Sequence, residues 1–118
     1  HLPLTAETRA LIGYQELKSM KTDAVLLNTA RGGIIEENDL AQIMNEGHLS
    51  AAAIDVFENE PYDGPLCDIE RCLLTCHMGS MSDDCREKME IEATKEVVRF
   101  FNQERLMNPV PDELYDII

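Results

Sequence analysis

Three short apolar runs, residues 24–28, 51–56 and 72–75, set the tightest limit on how this chain can fold. Ala24-Val25-Leu26-Leu27 leads into Asn28 and is bounded by polar residues. Ala51-Ala52-Ala53-Ile54-Asp55-Val56 comes soon after Gly47, and Cys72-Leu73-Leu74-Thr75 follows a loop holding Pro61, Gly64 and Pro65. Runs so short and so continuously apolar suit strands buried on both faces of a parallel sheet. The alanines of the second run could also form a helix, but Gly47 before it and Pro61 after it leave too little room.

Between and around these runs the apolar period is helical. Leu11, Tyr14, Leu17 and Met20 recur every third residue, as on one face of a short helix. From Glu36 onward Leu40, Ile43 and Met44 form a second stripe, with acidic residues in its first turn and Gly47 able to end it in a left-handed conformation. The connection from the first run to the second is long enough for the helical crossover that parallel strands need. Ser80 or Ser82 can cap the last and longest element, in which Cys85, Met89, Ala93, Val97 and Phe101 step by four. Arg105 to Ile118 reads as a mostly polar extension with Pro109 and Pro111. Doubly buried runs alternating with amphipathic helices predict an α/β sheet with helices on both faces.

At 118 residues the chain is expected to hold one domain at most. Its formal charge of −13, from 10 Lys+Arg against 23 Asp+Glu, argues against nucleic acid or an anionic membrane surface as a partner. No apolar run is long enough to span a bilayer, so the expectation is a soluble, cytoplasmic protein. The four cysteines at 67, 72, 76 and 85 read as reduced thiols. Zinc is the sharper alternative for Cys72, Cys76 and His77, although their spacing is not that of paired Cys-x-x-Cys knuckles. The chain opens abruptly at His1 and looks like a piece of something longer.

Ligands of open α/β sheets bind in the crevice beyond the carboxyl ends of the strands. Arg31 lies just past the first run, Glu60 just past the second and His77 just past the third, so all three can face one crevice. Singly, each has an ordinary reading: a solvated loop arginine, a surface carboxylate in the acidic stretch Phe57-Glu58-Asn59-Glu60-Pro61, a structural histidine. Together they favour function. A guanidinium holds a carboxylate through two parallel hydrogen bonds, which suits Arg31 to an acid substrate, and Gly32 and Gly33 beside it leave the backbone bare for a ligand. An imidazole exchanges protons near neutral pH, which makes His77 the general acid or base. A carboxylate next to it favours the imidazolium and orients the ring, the role open to Glu60. Asp55 is expected to be buried within a strand, where it needs a donor: a ligand amide or a neighbouring backbone N–H.

Four stretches, "HLPLTAETRALIG", "LLNTARGG", "AAAIDVFENEP" and "LLTCHMGS", together resemble the D-isomer-specific 2-hydroxyacid dehydrogenases, the family of D-phosphoglycerate, glycerate and formate dehydrogenases. The likeness runs from His1 to about Asn108. It implies a partial Rossmann fold: the second mononucleotide half of a doubly wound parallel sheet with a long C-terminal helix, residues 1–108 forming the fragment of the NAD-binding domain and 109–118 a C-terminal extension. It implies reversible hydride transfer between NAD(H) and a 2-oxo or 2-hydroxy acid. Arg31 would bind the substrate carboxylate, His77 would exchange the proton of the 2-hydroxyl, and Glu60 would pair with that histidine. Cofactor contacts are implied for Leu2, Pro3 and Thr8 in the opening loop, for Thr29, Ala30 and Arg31, for Asp55 at the nicotinamide amide, and for His77 and Gly79. A homodimer is the family expectation.

The chain also departs from the pattern. Cys76 stands where the family usually has proline, losing that residue's rigidity and adding an oxidisable thiol, and Met78 replaces a smaller aliphatic. The glycine-rich phosphate loop, the acidic residue that selects the ribose, and the substrate-binding domain are expected upstream of His1 or elsewhere. Alone, the chain is expected to expose a sheet edge, to self-associate and to catalyse nothing. The resemblance extends to transcriptional co-repressors of the C-terminal-binding-protein type, which makes a nucleotide-sensing regulatory module the alternative reading.

Overall fold

A computed structural model describes residues 1–110. The expected extension therefore lies largely outside the described residues. The chain divides into two compact units, His1–Gly79 and Ser80–Ile118.

The first unit contains α1 (Tyr14–Ser19), β1 (Val25–Asn28), α2 (Glu37–Asn45), β2 (Ala51–Ile54) and β3 (Cys72–Leu74), with a 3-10 turn at Pro65–Asp68. Its three strands are parallel in the order β1-β2-β3. The α/β reading of the apolar runs holds. Asn28 pairs with Ile54 and Ile54 with Leu74, which brings the carboxyl ends of all three strands to one edge.

Burial is one-sided, contrary to the expectation of doubly buried strands. Leu26, Ala52 and Ile54 join Leu40, Ile43 and Met44 in one core cluster. On the opposite face Val25 is 53% exposed, Leu27 67% and Leu73 65%. The physical reason is that side chains alternate along a strand, and the helical stripe of α2 meets only one of the two resulting rows. An apolar run states that a face wants covering; it does not state which residues cover it.

The stripe around Leu17 yields a shorter helix than its period implied. Leu11 is 45% exposed and stands outside α1, while Ile12 forms a single parallel bridge with Ile35. Only Leu17 of that helix is buried. Helix α2 follows its prediction: Leu40, Ile43 and Met44 are buried, and Gly47 takes φ +71° just beyond the C-terminus. Arg71, silent in the sequence, donates from Nη2 to the Met44 carbonyl at 2.7 Å and from Nη1 to that of Leu49 at 2.7 Å. A cation there suits the negative end of the helix and ties the segment after β2 and before β3 to it.

The second unit holds α3 (Asp83–Phe101), with Ser82 rather than Ser80 at its N-cap. The stripe that steps by four is exposed there: Met89, Val97 and Phe101 all lie largely in solvent.

Candidate active site

The turn after β1 is shaped by Asn28, the one buried polar or charged residue among the described residues. Its Oδ1 accepts from the Ala30 N–H and its Nδ2 donates to the Arg31 carbonyl, both at 3.1 Å. An asparagine bonded in this way replaces backbone partners and bends the chain sharply. Arg31 is carried at the bend, exposed, with Nη1 donating to the Ala30 carbonyl at 2.7 Å. Of the two glycines that follow, Gly32 leaves its backbone on the wall of the cavity that Arg31 also lines. A Cβ on Gly32 would lie 2.0 Å from the carbonyl carbon and oxygen of Phe57, so position 32 is small because the loop after β2 packs on it. Gly33 has φ +76°, where a side chain is strained, and its carbonyl accepts from Ala10 N–H at 2.8 Å.

The loop after β2 is tied down at successive residues. Phe57 N–H donates to Glu60 Oε1 at 3.0 Å and Glu58 N–H donates to Glu37 Oε1 at 2.8 Å. Arg9 pairs with the Glu58 carboxylate. The Phe57 and Tyr62 rings stack at 4.2 Å. Glu60 is thereby aimed at the end of β3, where its Oε2 lies 3.2 Å from Nδ1 of His77. His77 has φ +53° and its N–H donates to the Asp55 carbonyl at 2.8 Å. A left-handed backbone at a residue other than glycine is strained, and strain of this kind concentrates where a side chain must be aimed. Since an ionised carboxylate only accepts, Nδ1 carries the proton in this pair and Nε2 is left for a ligand.

Arg31, Glu60 and His77, expected at three separate strand ends, do line one cavity of about 310 Å³, together with Leu4, Arg9, Gly32 and Phe57. Arg9 is a member that sequence reasoning missed. Its pair with Glu58 spans 49 residues and leaves no local signal.

A neighbouring cavity of about 350 Å³ is lined by Thr29, Ala53, Ile54, Asp55, Leu73 and Gly79, among others. Asp55 lies just past β2, half-buried rather than buried within the strand as expected. Its Oδ1 accepts from the Met78 N–H at 2.8 Å and from the Thr75 hydroxyl. The backbone alternative for its donor is therefore realised. Gly79 stands beside Oδ2 without a side chain, and that oxygen can accept a further donor. An apolar floor with one carboxylate oxygen open to an amide N–H fits a nicotinamide carboxamide. Ala30 lies in the turn before Arg31, bonded to Asn28. Leu2, Pro3 and Thr8 belong to the opening turn, where the Thr8 hydroxyl donates to the Pro3 carbonyl at 2.7 Å, and line neither cavity. Among the described residues no three His, Cys, Asp or Glu come together as a metal-binding set.

The Met78 N–H and then the Thr75 hydroxyl hold the Asp55 carboxyl below its ordinary value, and the Phe57 N–H and then His77 do the same for Glu60. Both groups bind protons more weakly in the folded chain than in the unfolded one. Their contribution to stability is complete above the ordinary carboxylate range and is lost as pH falls through the depressed folded values. Denaturation midpoints of the wild type are accordingly expected to fall on acidification below about pH 4. Asp55→Asn is expected to flatten that dependence; an identical pH profile for the variant would contradict the assignment.

The profile of the family described as "D-isomer specific 2-hydroxyacid dehydrogenase, NAD binding domain" matches residues 1–79, the whole of the first unit. A glyoxylate reductase of Thermococcus litoralis is 41% identical over 101 residues, which are 85% of this chain and 30% of that protein. The crystal structure of a glyoxylate reductase from Paecilomyes thermophila superposes with a TM-score of 0.88 at 33% identity, covering 96% of this chain and 35% of that one. An NADPH-dependent glyoxylate/hydroxypyruvate reductase of Sinorhizobium meliloti, crystallised with NADP and malonate, gives 0.89 at 28% identity, covering 95% and 35%. The chain spans about a third of the length of these relatives. It belongs to the D-isomer specific 2-hydroxyacid dehydrogenase family, within whose NAD-binding domain its first unit lies.

Proposed function

We propose that the full-length protein carrying this chain reduces a 2-oxo acid to a D-2-hydroxy acid, and catalyses the reverse, as a nicotinamide-dependent dehydrogenase. The observation that carries the reading is the convergence of Arg31, Glu60 and His77 on one cavity beside the Asp55 cavity. Bound nicotinamide supplies or accepts the hydride. Arg31 grips the substrate carboxylate and so turns the 2-carbon toward the Asp55 side of the site. His77 gives its Nε2 proton to the developing alkoxide, and takes it back in the oxidative direction. Glu60 receives the Nδ1–H, fixes the ring and favours the imidazolium that precedes proton transfer. Asp55, pinned through Oδ1, offers Oδ2 to the carboxamide of the cofactor, as Thr29 and Gly79 close the same cavity.

NAD and a short 2-oxo acid, such as the glyoxylate named for the relatives, are the ligands this reading assigns. A homodimer with the NAD-binding domain reaching to about residue 108 completes it. No helix among the described residues is long and apolar enough to cross a membrane.

Arg31→Ala separates binding from chemistry. Truncating one partner of a charge-assisted pair costs several kcal/mol, so kcat/KM in the full-length protein is expected to fall roughly a hundredfold, mostly through KM. Steady-state kinetics with glyoxylate and with hydroxypyruvate check it. An unchanged KM would remove Arg31 from the carboxylate.

A further inference from the structure

Glu60 is a wall of two hollows. Besides the substrate cavity, it borders one of about 450 Å³ whose walls include Phe57, Tyr62 and Leu74 and two thiols, Cys67 and Cys76. Both cysteines are free and exposed, Cys67 on the 3-10 turn and Cys76 directly before His77. Neither thiol takes part in the hydrogen bonds that organise the catalytic side chains. An apolar hollow walled by a stacked aromatic pair, carrying two accessible sulfurs and touching a catalytic carboxylate, has the features of a thiol-directed binding site.

We propose that this hollow is a modification site, at which a small disulfide with an aromatic or apolar body forms a mixed disulfide with Cys76 and thereby regulates the adjoining site. The regulatory consequence rests on the dehydrogenase reading; the site itself does not. In the exchange the Cys76 thiol loses its proton and its sulfur attacks one sulfur of the reagent. A new S–S bond forms, the reagent's S–S bond breaks, and the electron pair leaves on the displaced half, which takes up the proton as a thiol. Cys76 is oxidised, the displaced half is reduced, and no other oxidant is needed. The body left in the hollow crowds Glu60, which cannot then keep its place beside Nδ1 of His77. Cys72 is disfavoured because it is half-buried, and burial pushes its thiol pKa up and lowers its thiolate fraction. Cys85 lines no part of the hollow.

The probe is 4,4′-dithiodipyridine, added in equimolar amount to the full-length protein, with the label located by peptide mass and turnover followed in parallel. Cys76 is expected to be labelled at least tenfold faster than Cys72 or Cys85. Turnover is expected to fall more than tenfold and to return with dithiothreitol. Cys76→Ala, measured against its own untreated activity, is expected to lose less than twofold. Label that settles on Cys72 or Cys85, or on Cys67 alone, overturns the site. Full turnover with Cys76 quantitatively labelled overturns the regulation. If the unlabelled protein turns over no 2-oxo acid, the dehydrogenase reading fails, and the relative labelling rates still decide the site.

Discussion

His77→Asn is expected to lower kcat of the full-length protein about a thousandfold, within the range general acid–base groups contribute, while leaving its thermal midpoint close to wild type. Asparagine is the informative replacement because His77 sits at φ +53°. Among residues with a side chain, asparagine tolerates that left-handed backbone well, so the N–H bond from position 77 to the Asp55 carbonyl is kept. What disappears is the proton that an imidazole paired with Glu60 can deliver. Glu60→Gln should have a smaller effect, since it leaves the imidazole and removes only the charge behind it. Stopped-flow single turnovers with NADH, together with a thermal melt of each variant, separate chemistry from folding. A His77→Asn protein that turns over within tenfold of wild type would show that the proton comes from elsewhere.

The second large effect is expected far from any proton. Gly32→Ala adds one methyl group, and that methyl would stand 2.0 Å from the Phe57 carbonyl carbon and oxygen and 2.5 Å from Glu58 N. Every one of those atoms is backbone, so no flexible side chain can swing aside. The loop after β2 is also held by Glu37 and Arg9. Either that loop moves, taking Glu60 with it, or the turn that carries Arg31 moves. Overpacking of ordinary severity costs about 1–3 kcal/mol, and a clash between two pinned backbones belongs at or beyond the upper end. The urea midpoint of the full-length protein is expected to drop by an amount equivalent to about 3 kcal/mol or more, and turnover to fall with it even where the variant is folded. A wild-type midpoint would mean that the close approach of Gly32 to Phe57 is wrong.

Much of the framework was readable from hydrophobic period alone. Runs of four to six apolar residues alternating with the stripe at Leu40, Ile43 and Met44 specify strands joined by a helical crossover, and a crossover specifies parallel pairing. Once the strands are parallel, their carboxyl ends share an edge, and Arg31, Glu60 and His77 are neighbours by topology. The details that set their geometry come from contacts distant in sequence. The pairing of Arg9 with Glu58, the Arg71 bonds to the end of α2 and the seating of Gly32 on Phe57 each join segments that no local pattern connects. Gly32 is the instructive case: a glycine beside a candidate ligand site invites a functional reading, and although its backbone does line the cavity, its missing side chain also answers to the neighbouring loop. Asn28 was within reach of sequence reasoning, because an asparagine ending a strand before a tight turn is a known way to bend a chain. The position of Asp55 just past its strand is not legible, because an apolar run has no mark for the residue at which pairing stops.

The most direct test of the central claim is NADH oxidation by the full-length protein across a panel of short 2-oxo acids, with the product's configuration determined. Saturable NADH consumption with at least one of them and formation of the D-2-hydroxy acid are expected. Tight NADH binding without consumption in the presence of any 2-oxo acid would contradict that claim, and would mean that the Arg31, Glu60 and His77 cavity serves nucleotide-dependent regulation instead of hydride transfer.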